Sequence, residues 1–245
     1  IQSQLESGKH FKIYGFEHLL NCKLFKNLTL GIDPKLFTHN QIKQFFAKNN
    51  TIQLIKSNLI DEIKRQKINE THQFFSLKKS IVGESKVSKL NKISKYLVKN
   101  KSDYLFVSAP ENVAWILNIR GSDSPNSPIP NARLIISKSK KIILICKTQK
   151  CEELIKKKIF KHKQVIKTKD FSKKILNLKG KNFIIDDNSC SIFYENIIKS
   201  KFKIIKREDP TYLLKAIKNK VEINNMKSAH IIDGVALTKF IFWIK

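Results

Sequence analysis

Side chains able to do chemistry are few and scattered in this chain of 245 residues. The histidines are His10, His18, His39, His72, His162 and His230. None stands in a His-Glu-x-x-His pattern and no two are four apart, the spacing that puts two ligands on one helix face. Each reads as a surface or capping residue. His230 and Asp233, three apart, share a helix face and read as polar surface. Asp186 and Asp187 are adjacent, but neighbours at a strand end point to opposite sides. They cannot converge on one reacting group, and Asp187 or Asn188 is expected instead to cap a helix opening at Ser191. The four cysteines, Cys22, Cys146, Cys151 and Cys190, do not form a disulfide framework and fit reduced thiols of a cytosolic protein. Cys146 and Cys151 stand five apart, without the second Cys/His pair that a four-ligand zinc site needs. There is no Gly-x-x-x-x-Gly-Lys loop, no Gly-x-Gly-x-x-Gly and no Gly-x-Ser-x-Gly elbow. The expectation is that no catalytic, cofactor-binding or metal-binding residue lies in this chain.

The most specific string is Glu111–Pro130, ENVAWILNIRGSDSPNSPIP. Val113, Ala114, Trp115, Ile116 and Leu117 read as a buried strand. Arg120-Gly121-Ser122-Asp123 reads as a turn whose glycine permits an unusual backbone angle and whose aspartate bonds its own backbone. Arg120 is expected at an interdomain or subunit contact, with the substrate cleft or a plain carboxylate partner as the other readings.

The elements that must carry these residues alternate along the chain. In residues 1–68 a strand end is expected at Lys12–Tyr14 and strands at Leu28–Ile32 and Thr51–Ile55, with Thr38 or Asn40 capping a helix that carries Ile42, Phe45 and Phe46. The polar stretch Lys64–Gln73 reads as a linker. Residues 69–211 repeat the theme. A helix at Ser85–Lys99 carries Val87, Leu90, Ile93 and Leu97 on one stripe. Strands follow at Tyr104–Val107, Arg133–Ser137, Lys141–Cys146, Asn182–Asp186 and Lys203–Ile205, with helices at Cys151–Lys158, Phe171–Leu178 and Ser191–Lys199. That alternation argues for an α/β fold with a mixed sheet covered by helices. Residues 212–245 read as one long helix, apolar on every face toward its end. Such a helix needs cover on all sides, so it is expected to open a further domain, and a chain starting at Ile1 looks truncated.

Composition narrows the class. An apolar content of 41% excludes a disordered chain. No apolar run is long enough to span a membrane. The net charge is +28, which invites a nucleic-acid reading. However, the only arginines are Arg65, Arg120, Arg133 and Arg207, and the lysines are spread over every segment. Base readers favour arginine on one face. A/T-rich codons account for Lys, Ile and Asn together, so neither a nucleic-acid nor a membrane partner is expected.

Several blocks, in order, resemble aminopeptidase P, a member of the creatinase/prolidase group. Ile1-Gln2-Ser3-Gln4-Leu5 through Gly8 is similar to the helix after that family's Asp-Gly-Arg-Tyr strand end. Gly31-Ile32-Asp33-Pro34 through Thr38 is similar to its Gly-x-Asp-Pro-x-x-x-Thr block, and Gly83-Glu84-Ser85 to the opening of its middle domain. Asn112–Asp123 is the most specific match. Lys220–Met226 with Ala229–Leu237 resembles the first helix of its catalytic domain. The resemblance implies two creatinase-N-terminal-like α/β domains, 1–68 (the C-terminal part of the first) and 69–211, followed at 212–245 by the start of a pita-bread catalytic domain. It implies a cytoplasmic, homodimeric Xaa-Pro metallo-aminopeptidase, a hydrolase that removes the residue preceding proline from peptides with proline second. Two divalent metals, commonly manganese, would be held by two Asp, one His and two Glu beyond residue 245, so this chain alone would bind none and be inactive. A non-enzymatic interaction module derived from the family and a lysine-rich nucleic-acid binder are the alternatives.

Overall fold

The computed structural model describes residues 2–14, 18, 25–46, 48–63 and 72–244. In chain order the elements are α1 (Gln2–Glu6), β1 (Thr29–Ile32), α2 (His39–Phe45), β2 (Thr51–Leu54), α3 (Leu59–Ile63), β3 (Phe75–Ser76), α4 (Lys79–Val82) and α5 (Lys86–Lys99). Then come β4 (Tyr104–Val107), α6 (Pro110–Leu117), β5 (Ile119–Arg120), β6 (Arg133–Ser137), β7 (Ile142–Ile145), α7 (Glu152–Lys156), β8 (Val165–Ile166) and α8 (Phe171–Asn177). β9 (Asn182–Ile185), α9 (Ile192–Lys199), β10 (Lys203–Lys206), α10 (Thr211–Ala216) and α11 (Lys220–Ile244) complete it. Residues 1–68 with 187–196 form one compact unit, and 69–186 with 197–245 another. Cys22 lies outside the described residues, as does the expected linker Lys64–Gln73 except for His72 and Gln73. Among the described residues no helix is long and apolar enough to cross a membrane.

In the first unit β1 and β2 pair in parallel, Thr29 opposite Thr51 and Ile32 opposite Leu54, and α2 makes the crossover that parallel strands require. Thr38 is the N-cap of α2: its hydroxyl accepts from Gln41 N and the Gln41 side chain accepts from Thr38 N, a capping box. Ile32, Ile42 and Ile192 form the small core. Lys12–Tyr14 carries no strand.

The second unit is built on a mixed six-stranded sheet in the order β10-β9-β4-β6-β7-β8. β10, β9 and β4 run parallel, β6 is antiparallel to β4 and β7, and β8 is parallel to β7. One face packs Leu105, Val107, Leu134, Ile136 and Leu144 against α5 (Leu90, Ile93, Leu97) and α6 (Val113, Ile116, Leu117). Because side chains alternate along a strand, the other face carries Tyr104, Phe106 and Phe183. Phe171 of α8 lies 5.5 Å from Phe106, ring centre to ring centre, and Tyr104 stacks on Phe183 at 5.1 Å. Ser85 caps α5 through Ser88 N.

Three further expectations are corrected. Val113–Leu117 is not a strand but most of α6. Extended Ala109 and Pro110 at its first turn preset the helix, and Asn118 ends it in the left-handed conformation at φ 55°. Asn112, Val113, Ala114, Ile116 and Leu117 are all buried. A helix without a polar face shows no helical period, and a short apolar run then reads equally well as a strand. The long helix expected from Tyr212 is two helices, α10 and α11, parted at Ile217–Asn219. Asn219 makes the break: its Oδ1 accepts from Val221 N and Glu222 N, while its own N–H donates to Glu222 Oε2, a reciprocal N-terminal cap. Finally, α9 begins at Ile192, and Ser191 O accepts the first helical bond, from Glu195 N. Ser191 is therefore the flanking residue, not Asp187 or Asn188. Asn188 Oδ1 accepts instead from Asn40 Nδ2.

Candidate functional site: the Asn112–Asp123 block

Asn112, Asn118 and Asp123 of the most specific sequence block each have a partner distant in sequence. At the start of α6, buried Asn112 donates through Nδ2 to Asp209 Oδ2 at 2.8 Å and accepts from Lys215 Nζ at 2.7 Å. Asp209 N donates to Asp186 Oδ2 at 3.0 Å, and Asp209 Oδ1 accepts from Thr211 N. Asp209 is 2% exposed, and burial, with the Asp186 carboxylate a lesser contributor, raises its pKa. Asp186 thus belongs to a structural tie between the β9 end and the start of α10, not to a paired-carboxylate site with Asp187.

At the other end of α6 two cations meet the free carbonyls that any helix C-terminus presents. Lys89, only 1% exposed, donates to Trp115 O at 2.8 Å and to Asn118 Oδ1 at 2.7 Å, and its Nζ lies 4.0 Å from the Trp115 ring centre. Asn118 Nδ2 in turn donates to Glu84 O. Burial lowers the Lys89 pKa to about 8, against the weaker pull of Glu222 and Glu84. Arg120 Nη1 donates to Ile119 O at 2.9 Å and Ala114 O at 3.3 Å, and burial lowers its pKa.

The Gly121 turn closes the block. A Cβ on Gly121 would stand 2.9 Å from two Phe74 ring carbons and 3.0 Å from Pro130 Cα. Its φ is not in the left-handed region, so the glycine is required for space and not for the backbone angle expected of it. Asp123 does not bond its own backbone in a local turn. It accepts from Asn131 N at 2.7 Å and forms an ion pair with Lys150, the two side chains 7% and 11% exposed.

The remaining chemistry-bearing residues lie apart. His10, His18, His72, His162 and His230 are exposed, and His39 Nε2 stands 4.0 Å from Glu195 Oε2. His230 and Asp233 are both exposed on α11. Among the described residues no three His, Cys, Asp or Glu side chains gather as a metal would require. Cys146 and Cys151 are buried with their sulfurs 3.4 Å apart. The Cys151 sulfur beside it and burial raise the Cys146 pKa. Since thiolate and access control reactivity, a disulfide reagent such as DTNB is expected to label none of Cys146, Cys151 and Cys190 in the folded chain and all three in denaturant. Labelling of Cys146 in native buffer at the rate of a free thiol contradicts this.

Lys89, Lys150, Asp209 and Lys215 are the members that sequence reasoning missed. They lie 29, 27, 97 and 103 residues from the partners that give them meaning. No local signal sets Lys89 or Lys150 apart from the other lysines.

Comparison with known proteins agrees with this geometry. The sequence profile described as Creatinase/Prolidase N-terminal domain matches residues 64–222. Xaa-Pro aminopeptidase 1 of Dictyostelium discoideum is 29% identical over 92% of this chain, and Xaa-Pro aminopeptidase ApepP of Drosophila melanogaster 27% over 91%. The chain spans 38% of the length of each of these relatives. The X-prolyl aminopeptidase of Caenorhabditis elegans, described as a cytosolic enzyme with a di-nuclear active site, superposes with a TM-score of 0.77 at 22% identity, over 97% of this chain and 40% of that one. With the profile match covering well over half of the sequence and the sheet, α6 and the Gly121 turn in place, the chain belongs to the Creatinase/Prolidase N-terminal domain family.

Proposed function

We propose that this chain supplies non-catalytic domains of a Xaa-Pro metallo-aminopeptidase, which removes the N-terminal residue preceding proline from peptides by dinuclear-metal hydrolysis. The observation that carries the reading is collinear similarity to Xaa-Pro aminopeptidases over 92% of the chain. α11 supports it physically: it buries no residue, and Ile232, Phe242 and Trp243 are 71%, 84% and 79% exposed. An apolar surface of this kind calls for cover, which the start of a catalytic domain would obtain from the rest of that domain. In this reading residues 69–211 are the middle domain and 212–245 the beginning of the catalytic one, and the enzyme is a cytoplasmic homodimer.

The described residues do not fit a dinuclear centre, since no three candidate ligands come together among them. The two metals, manganese in this reading, would be held by residues outside this chain, and no step of the reaction is assigned to residues within it. Two measurements test the proposal. The gene read past the codon for Lys245 is expected to continue with Asp, Asp, His, Glu and Glu in that order, and an immediate stop would favour an interaction module instead. The chain alone, given manganese and an Xaa-Pro peptide, is expected to release no amino acid, and metal-dependent release would overturn the assignment of the site elsewhere.

A further inference from the structure

On the face of the large sheet opposite α5 and α6, α8 covers the part above β4, where Phe171 meets Phe106. Toward β6 and β7 the same face opens into a cavity of about 510 Å³, within the range of small-molecule sites. Its floor is apolar: Tyr104, Ile135 and Ile143 from the strands and Leu178 beyond α8. Its rim holds Lys141, Lys161, Lys163 and Lys174. None of these lysines has an ion pair among the described residues, and no Asp or Glu lines the cavity.

Lysines alone would mean little on a chain with 48 basic and 20 acidic residues. Three features distinguish this place from the general surface. It is concave, so low-dielectric walls focus the field of the four charges. It has fixed neutral donors: Gln164 Oε1 accepts from Lys161 N at 2.8 Å, which leaves the amide NH₂ to donate. Ser137 and Ser139, hydroxyl to hydroxyl at 3.0 Å, stand beside it. It also has a floor able to take a flat apolar body. Lysine binds phosphate as a point charge without the directional fork of arginine.

We propose that this cavity binds a phosphorylated small molecule with a flat apolar body, of the nucleoside polyphosphate class, the lysines on its phosphates and the floor under its base. The site does not depend on the peptidase reading. Titration calorimetry of the 245-residue chain at near-physiological salt tests it with ATP, tripolyphosphate and adenosine as probes. ATP is expected to bind at least about tenfold tighter than either partial probe, each covering only half of the interaction. Lys141→Glu/Lys163→Glu is expected to weaken ATP about tenfold or more, with Lys141→Gln/Lys163→Gln as the milder pair should charge reversal impair folding. Lys95→Glu/Lys99→Glu, exposed on α5 across the sheet, is expected to change it less than about twofold. Three results would overturn the proposal: no ATP binding, tripolyphosphate binding as tightly as ATP, or equal losses in the rim and α5 variants. The last two would reduce the effect to general charge.

Discussion

Asp123→Ala is expected to lower the unfolding free energy by about 3–5 kcal/mol, the usual penalty for stranding one member of a buried ion pair. Lys150 has 11% of its side chain exposed, and its Nζ lies 5.9 Å from the Phe74 ring centre. Without Asp123 that ammonium faces an aromatic wall with no counter-charge, and Asn131 N loses its acceptor. Lys150→Met is expected to be costly too, because the carboxylate keeps only the Asn131 N–H. The double variant Asp123→Ala/Lys150→Met removes both charges, so its loss is expected to fall short of the summed single losses by about 2 kcal/mol or more. Urea unfolding of the four proteins measures this. A double variant whose loss equals that sum within about 0.5 kcal/mol would show that the pair is not coupled.

The same ion pair shows where the sequence was legible and where it was not. α5 was readable because Leu90, Ile93 and Leu97 face the core while Lys92, Lys95 and Lys99 face water, so the helical period survives in the string, and Ser85 marks its start. α6 lies in the core with Asn112 and Val113 as buried as Ile116 and Leu117. Its sequence therefore lacks the contrast from which a period is read, although Pro110 and Asn118 did mark its ends. The break before α11 is likewise written in Asn219 and Glu222, three apart, the spacing of a reciprocal N-terminal cap.

The block itself could be recognised in the sequence while its mechanics could not. Gly121 and Asp123 were legible as a turn by residue type, yet the glycine answers to Phe74 and Pro130 and the aspartate to Lys150 and Asn131. Such requirements are set by segments that meet only after folding. Lysine bias hides them further: among so many lysines on a solvated surface, composition cannot show that Lys89 and Lys150 are buried. Arg120, expected at an interface, spends one nitrogen on the carbonyls of Ala114 and Ile119, which ties it to the end of α6 whatever else it meets.

Lys89 carries the second large expected effect, and pH gives it a signature of its own. Lys89→Ala is expected to cost roughly 2–4 kcal/mol at neutral pH, since it empties a fully packed site and leaves Asn118 Oδ1 and Trp115 O without their donor. Lys89→Met keeps most of the volume and is expected to cost less. Burial lowers the Lys89 pKa from 10.5 to about 8 in the folded chain. The unfolded chain therefore holds this proton more tightly, and between these two values folding releases it. The contribution of Lys89 to stability accordingly rises as pH increases from about 8 to about 10.5 and is level on either side. Lys89→Met has no such proton, and the other lysines titrate alike in both proteins. The stability difference between wild type and Lys89→Met is thus expected to widen in favour of wild type across that window, as read from urea midpoints taken every half unit. A gap that stays constant or narrows would mean that Lys89 is solvated and charged, and that α6 does not end against a buried amine.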